Sequence, residues 1–110
     1  MTTIQLFKDA MEKGDYLALG KLFSDTGVYC DYCPKEVGQA EYHSCGPQGI
    51  EMFFHNHFVF RKFQVNDPVI QSDTRMYFYA LYGNYHLRAL ATIEEYAPSG
   101  LIQRLVVRPA

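Results

Sequence analysis

The stretch MYFYALYGNYHLRALATIEEY, residues 76–96, decides the fold. Gly83-Asn84 between two alternating runs reads as a two-residue hairpin turn, so Tyr82 pairs with Tyr85 and the register of both strands follows. One face then carries Met76, Phe78, Ala80, Tyr82, Tyr85, Leu87, Ala89, Ala91 and Ile93, apolar apart from two phenol tips. A face of that kind must be covered, and helices are the expected cover. The other face carries Tyr77, Tyr79, Leu81, His86, Arg88, Leu90, Thr92 and Glu94. It is too sticky for bare solvent and too polar for a core, which fits a homodimer interface best.

Working outward, Pro98-Ser99-Gly100 turns the chain into a last strand, Leu101–Val107. Before residue 76, Phe63 and Val65 alternate with polar residues, Asp67-Pro68 reads as a bend or edge position, and Val69-Ile70 resume the strand. The N-terminal half is helical. Thr3 caps a helix from Ile4 to about Lys13 with Ile4, Phe7 and Met11 on one stripe. Gly14-Asp15 closes it and opens a second helix through Phe23, whose inner face is Leu19, Leu22 and Phe23. A short strand, Val28 to Tyr32, ends at Pro34; residues 34–45 read as a loop. Gly46-Pro47 starts a third helix to about Phe60, with Ile50, Phe53, Phe54, His57 and Phe58 on one side. Helices precede an antiparallel sheet in the order ααβαββββ, which is α+β.

The 110 residues form one domain, residues 1–110, large enough for a core without metal or disulfide staples. A net charge of −2 and the absence of a basic stripe argue against nucleic acid and a membrane surface as partners. No run approaches the roughly 20 apolar residues of a bilayer span. Lys8, Asp9 and Glu12 interrupt any leader-like start, so the expected compartment is the cytoplasm. Nine Tyr and eight Phe are the unusual feature, and so many rings line a crowded core, a pocket or an interface.

Leu6-Phe7, Gly14-Asp15, Leu22-Phe23-Ser24-Asp25, Val28 through Asp31 and Gly46-x-x-Gly49-Ile50-x-x-Phe53-Phe54 together resemble the nuclear transport factor 2-like superfamily, in its branch of SnoaL-like cyclases and ketosteroid isomerases. The resemblance covers nearly the whole chain. It implies a cone of three helices over a strongly bent antiparallel sheet, an internal pocket, and dimerisation through the sheet's outer face. It also implies that Phe7, Met11, Tyr29, Phe53, Phe54 and Phe58 line an apolar pocket for a small apolar molecule, with no cofactor. Carried over by position, Asp31 matches the isomerases' general base, while their oxyanion-hole tyrosine falls on Phe7, which has no hydroxyl. That missing donor argues against ketosteroid isomerase activity. Their second acid falls on Glu94 if Tyr96 is matched to the family aromatic, but on Ile93 if residues are counted from the hairpin. One residue of slip puts the side chain on the opposite face.

Three residues are therefore candidates for catalysis: Asp31 as base, with His57 or Glu94 as polar partner. Each has a plainer alternative. Asp31 also reads as a strand-end carboxylate paired with a loop donor, and His57 as a buried imidazole satisfied by a backbone carbonyl or a tyrosine. Cys30-x-x-Cys33 and His43-x-Cys45 supply four N/S ligands, a spacing compatible with structural zinc or, for the first pair, a redox dithiol. Strand alternation sends Cys30 and Cys33 to opposite faces, and ordinary reduced thiols are the favoured reading, with no metal assigned. The functional expectation is a small-molecule-binding protein capable of cofactor-independent acid/base chemistry beside a carbonyl. The alternative is a non-catalytic module that binds a ligand or a protein.

Overall fold

A computed structural model describes residues 1–61, 63–82 and 84–110. Gly83 of the expected turn lies outside the described residues, but Tyr82 pairs with Tyr85 on either side of it. The elements are α1 (Thr3–Lys13), α2 (Tyr16–Lys21), β1 (Phe23–Asp31), a 3-10 segment (Cys33–Val37), β2 (Tyr42–Cys45), α3 (Pro47–Val59), β3 (Gln64–Ile70), β4 (Arg75–Tyr82), β5 (Tyr85–Tyr96) and β6 (Ile102–Pro109). Three helices pack on one six-stranded sheet of order β2-β1-β6-β5-β4-β3. The fold is α+β, and among the described residues no helix is long and apolar enough to cross a membrane.

The sheet is mixed, which corrects the expectation of an antiparallel one. The last strand returns beside the first and runs parallel to it, Tyr29 opposite Leu105 and Asp31 opposite Val107. Three further boundaries move. Thr2, not Thr3, caps α1, because Gln5 then stands three residues on: the Gln5 N–H donates to Thr2 Oγ1 and the Thr2 N–H to Gln5 Oε1. The second helix ends at Lys21, and Phe23 already belongs to β1. The loop 34–45 contains the 3-10 segment and β2, a short edge strand paired with β1.

Alternation along β4 and β5 is as expected. Met76, Phe78, Ala80, Tyr82, Ala89, Ala91 and Ile93 are buried against the helices, whereas Tyr79, His86, Arg88 and Glu94 face out. Tyr85, assigned to the inward face, is 57% exposed where the hairpin clears the helices. Asp67 adopts φ 49° at the register shift between Asn66 and Val69, the bend the Asp-Pro pair announced.

Gly20 sets the distance between α2 and α3. A Cβ there would stand 2.7 Å from the Pro47 carbonyl oxygen and 3.0 Å from Glu51 Cβ, so α3 would have to retreat. Alanine is the better helix former by about 1 kcal/mol, yet overpacking costs roughly 1–3 kcal/mol. Gly20→Ala is expected to destabilise the protein by about 1–2 kcal/mol net, read as a lower urea midpoint. A raised midpoint would show that the helices separate freely.

Candidate ligand cavity

Between the C-terminal end of α3 and the ends of β2 and β4 lies a cavity of about 320 Å³. Its wall is Gln39, Tyr42, His57, Arg61, Phe63, Leu81 and Tyr82. Tyr42 opens β2, His57 sits in the last turn of α3, Arg61 and Phe63 follow that helix, and Leu81-Tyr82 close β4. Sequence-distant segments therefore meet at this end of the sheet.

His57 is buried, stacked on Phe53 at 4.1 Å between ring centres and met edge-on by Tyr42 at 4.7 Å. Its Nδ1 lies 3.0 Å from the Phe53 carbonyl oxygen, one turn back. A carbonyl only accepts, so Nδ1 carries the hydrogen and Nε2 of the neutral ring presents a lone pair. Nε2 is buried and finds no partner among the described residues. Burial holds the imidazole below its ordinary pKa; the Phe53 carbonyl opposes this and the Arg61 charge adds to it. The ring is thus a neutral acceptor without a donor.

Tyr82 and Asp31 form the second polar element. Asp31 ends β1 with 2% of its surface exposed. The Tyr82 hydroxyl donates to Oδ2 at 2.5 Å, and the Cys33 N–H donates to Oδ1 at 2.9 Å. Burial pushes the Asp31 carboxyl up, and the bonds from Tyr82 and Cys33 pull it part of the way back. The Tyr82 phenol is pushed far up, by burial first and by the neighbouring carboxylate second. The Cys33 thiol, beside the same carboxylate, is pushed up to about 12, chiefly by burial. With its proton committed to Asp31, the Tyr82 oxygen turns only lone pairs toward other partners.

Of the residues expected at the site, His57 lines the cavity. Asp31 is not part of the wall; it stands behind Tyr82. The placement of Glu94 is a correction. It lies on the outer face, accepting from Arg104 Nε at 3.0 Å and Arg108 Nη1 at 2.9 Å, while Ile93 takes the inward position at 4% exposure. Counting from the hairpin therefore finds the right face, and matching by Tyr96 does not, because β5 is irregular between Ile93 and Tyr96.

The expected apolar pocket is corrected in the same way. Phe7, Met11, Tyr29 and Phe54 are core residues, each no more than 1% exposed. Tyr29 packs on Phe54 at 4.8 Å and Phe53 at 5.5 Å, and Phe58 stacks on Phe54 at 5.8 Å. The rings pack on one another, and the cavity walled by His57 and Tyr82 lies beside them. Phe53 stacks on His57, and Phe58 and Met11 border a separate depression of about 450 Å³ between α1 and β3.

The cysteines also separate. Cys33 joins the core, Cys45 is exposed, and Cys30 lies 3.3 Å from His43 Nδ1, whose Nε2 is 3.2 Å from Glu41. Among the described residues no group of three or more His, Cys, Asp or Glu could hold a metal ion, so the zinc alternative does not fit. Residue-by-residue reading missed Gln39, Tyr42, Arg61, Phe63, Leu81 and Tyr82 as wall residues. One signal was present: a buried phenol and a buried carboxylate both require partners, and pairing Tyr82 with Asp31 satisfies both.

No family model matches the sequence, and no curated protein matches it. Solved structures do. A Catenulispora acidiphila protein of ketosteroid isomerase-like fold, in complex with trimethylamine, superimposes with TM-score 0.68 at 12% identity over 98% of this chain and 85% of that one. A SnoaL-like protein of unknown function from Burkholderia thailandensis gives 0.63 at 10% identity, over 96% and 90%. A nuclear transport factor 2-like protein of unknown function from Cytophaga hutchinsonii gives 0.63 at 13%, over 98% and 87%. At such identities the likeness is one of architecture. The chain has the nuclear transport factor 2-like fold, shared with SnoaL-like and ketosteroid isomerase-like proteins.

Proposed function

We propose that the protein binds a small organic molecule in the cavity walled by Tyr42, His57, Phe63 and Tyr82. The unpartnered, buried Nε2 of His57 carries this reading. A buried acceptor without a donor costs roughly 1–3 kcal/mol, a cost that a ligand O–H or N–H removes. Rings on the wall supply apolar contact, and about 320 Å³ is at the small end of ligand cavities. Phenol, one ring with one donor, is the minimal probe. Titrated with phenol, the His57 Nε2 nitrogen resonance is expected to move while Nδ1, held by the Phe53 carbonyl, stays. His57→Phe is expected to weaken phenol binding about tenfold, one neutral hydrogen bond. Nitrogens that both stay still would overturn the reading.

A second reading, acid/base chemistry, is favoured by Asp31 alone. Its raised pKa suits a base, but Tyr82 stands between it and the cavity, so a proton would have to pass through the phenol. Neither Tyr82, whose hydrogen is committed, nor Phe7 supplies an oxyanion donor. Binding without turnover is thus the better-supported form of the proposal. The outer sheet face, where Tyr79 is exposed and Arg88 lies over the Tyr77 ring at 4.6 Å, supports the pairing of two copies.

A further inference from the structure

The cavity is polarised along its depth. His57 and Tyr82, 8% and 4% exposed, are buried polar members of its wall, and each carries an acceptor lone pair, His57 on Nε2 and Tyr82 on its phenol oxygen. Arg61 is exposed where the chain leaves α3, and it has no ion-pair partner among the described residues. Acceptors lie inside and a cation lies at the mouth. The buried carboxyl of Asp31, behind Tyr82, strengthens this polarity, since it repels an anion from the inner end and draws a donor toward it.

Resting on the cavity reading above, we propose that the ligand is a single-ring hydroxy acid, its carboxylate held by Arg61 and its hydroxyl donated to His57 Nε2. A guanidinium matches a carboxylate with two parallel N–H donors, a geometry an amide or ketone cannot fill. The ring between the two ends lies among Tyr42 and Phe63, and about 320 Å³ accommodates one ring with both substituents. A neutral apolar ligand leaves both Nε2 and Arg61 without partners; a hydroxy acid satisfies both.

Phenol, benzoate and 3- and 4-hydroxybenzoate form the test, with affinities from titration of backbone amide resonances. One hydroxybenzoate is expected to bind at least about tenfold more tightly than phenol or benzoate. Arg61→Gln, at an exposed position and expected to keep the wild-type melting temperature, should remove that advantage and weaken the hydroxybenzoate far more than it weakens phenol. His57→Phe should weaken the hydroxybenzoate by several-fold more than it weakens benzoate. Phenol binding as tightly as both acids, or acids indifferent to Arg61→Gln, would overturn the hydroxy-acid assignment while the cavity reading stood. Failure of phenol itself would remove the cavity reading first, so the two failures are distinct.

Discussion

Tyr82→Phe is expected to destabilise the protein by about 2–3 kcal/mol, more at pH 7 than at pH 4. The substitution keeps the ring and removes one oxygen, so packing is nearly unchanged. What is lost is a hydrogen bond to a buried carboxyl, with Asp31 Oδ2 left unpaired at 2% exposure. Hydrogen bonds to charged groups are worth about 1.5–3 kcal/mol, and stranding the acceptor adds to that. The pH dependence has a definite sign. Burial raises the folded-state pKa of Asp31 above its ordinary 3.8, so the native state binds its proton more tightly than the unfolded chain does. That contribution to stability is complete below about 3.8 and is lost as pH rises through the folded value. The Tyr82 bond is the largest influence holding the folded value down, so its removal moves the window upward and deepens the loss at neutral pH.

His57 acts in the opposite direction. Its depressed pKa gives stability that is present above about 6.5 and lost as pH falls through the folded value. The difference between wild-type and Tyr82→Phe urea curves, taken at each pH, cancels this shared contribution. Asp31→Asn should flatten the wild-type profile on the acid side. In the double variant the two costs should fall short of their sum by at least about 1 kcal/mol, the mark of groups in contact. Simple additivity would mean that Tyr82 and Asp31 are not paired in solution.

The strands from residue 76 to residue 93 were legible because a two-residue period with a fixed turn admits only one register. Ile93 and Glu94 follow from it directly. β1 was half hidden, since Leu19, Leu22 and Phe23 have helical spacing although Phe23 pairs with Ile102 across the sheet. Nothing local marks that parallel partner 79 residues away, and non-local pairing overrides local pattern. The site was legible in part. His57 was visible as a polar residue on an apolar helix side, and Asp31 as a carboxylate in a strand. That Tyr82 interposes itself between Asp31 and the cavity depends on contact between β1 and β4, 51 residues apart. Arg61 carries no sequence signal at all, because an exposed arginine after a helix is ordinary until a cavity opens beside it.

The high aromatic count is compatible with core, pocket or interface, and Phe54→Ala separates the first from the second. Phe54 is 1% exposed and packs on Tyr29, Phe53 and Phe58 at 4.8, 5.2 and 5.8 Å. If these rings are the core that closes the interior, truncation removes apolar contact and leaves a void. The expected cost is about 3–5 kcal/mol, against less than about 0.5 kcal/mol for Phe60→Ala at 73% exposure. The void would be walled by rings and without polar partners, so water gains little by entering, and a small aromatic hydrocarbon should occupy it. Toluene should therefore raise the melting temperature of Phe54→Ala and leave that of wild type unchanged, since the wild-type interior has no room and its cavity asks for a donor that toluene lacks. A cost below about 1 kcal/mol would mean that Phe54 borders space already open, restoring the internal pocket that the family resemblance implied. Equal stabilisation of wild type by toluene would point the same way. The cavity at the end of the sheet is the place for a ligand only while the rings keep the interior shut.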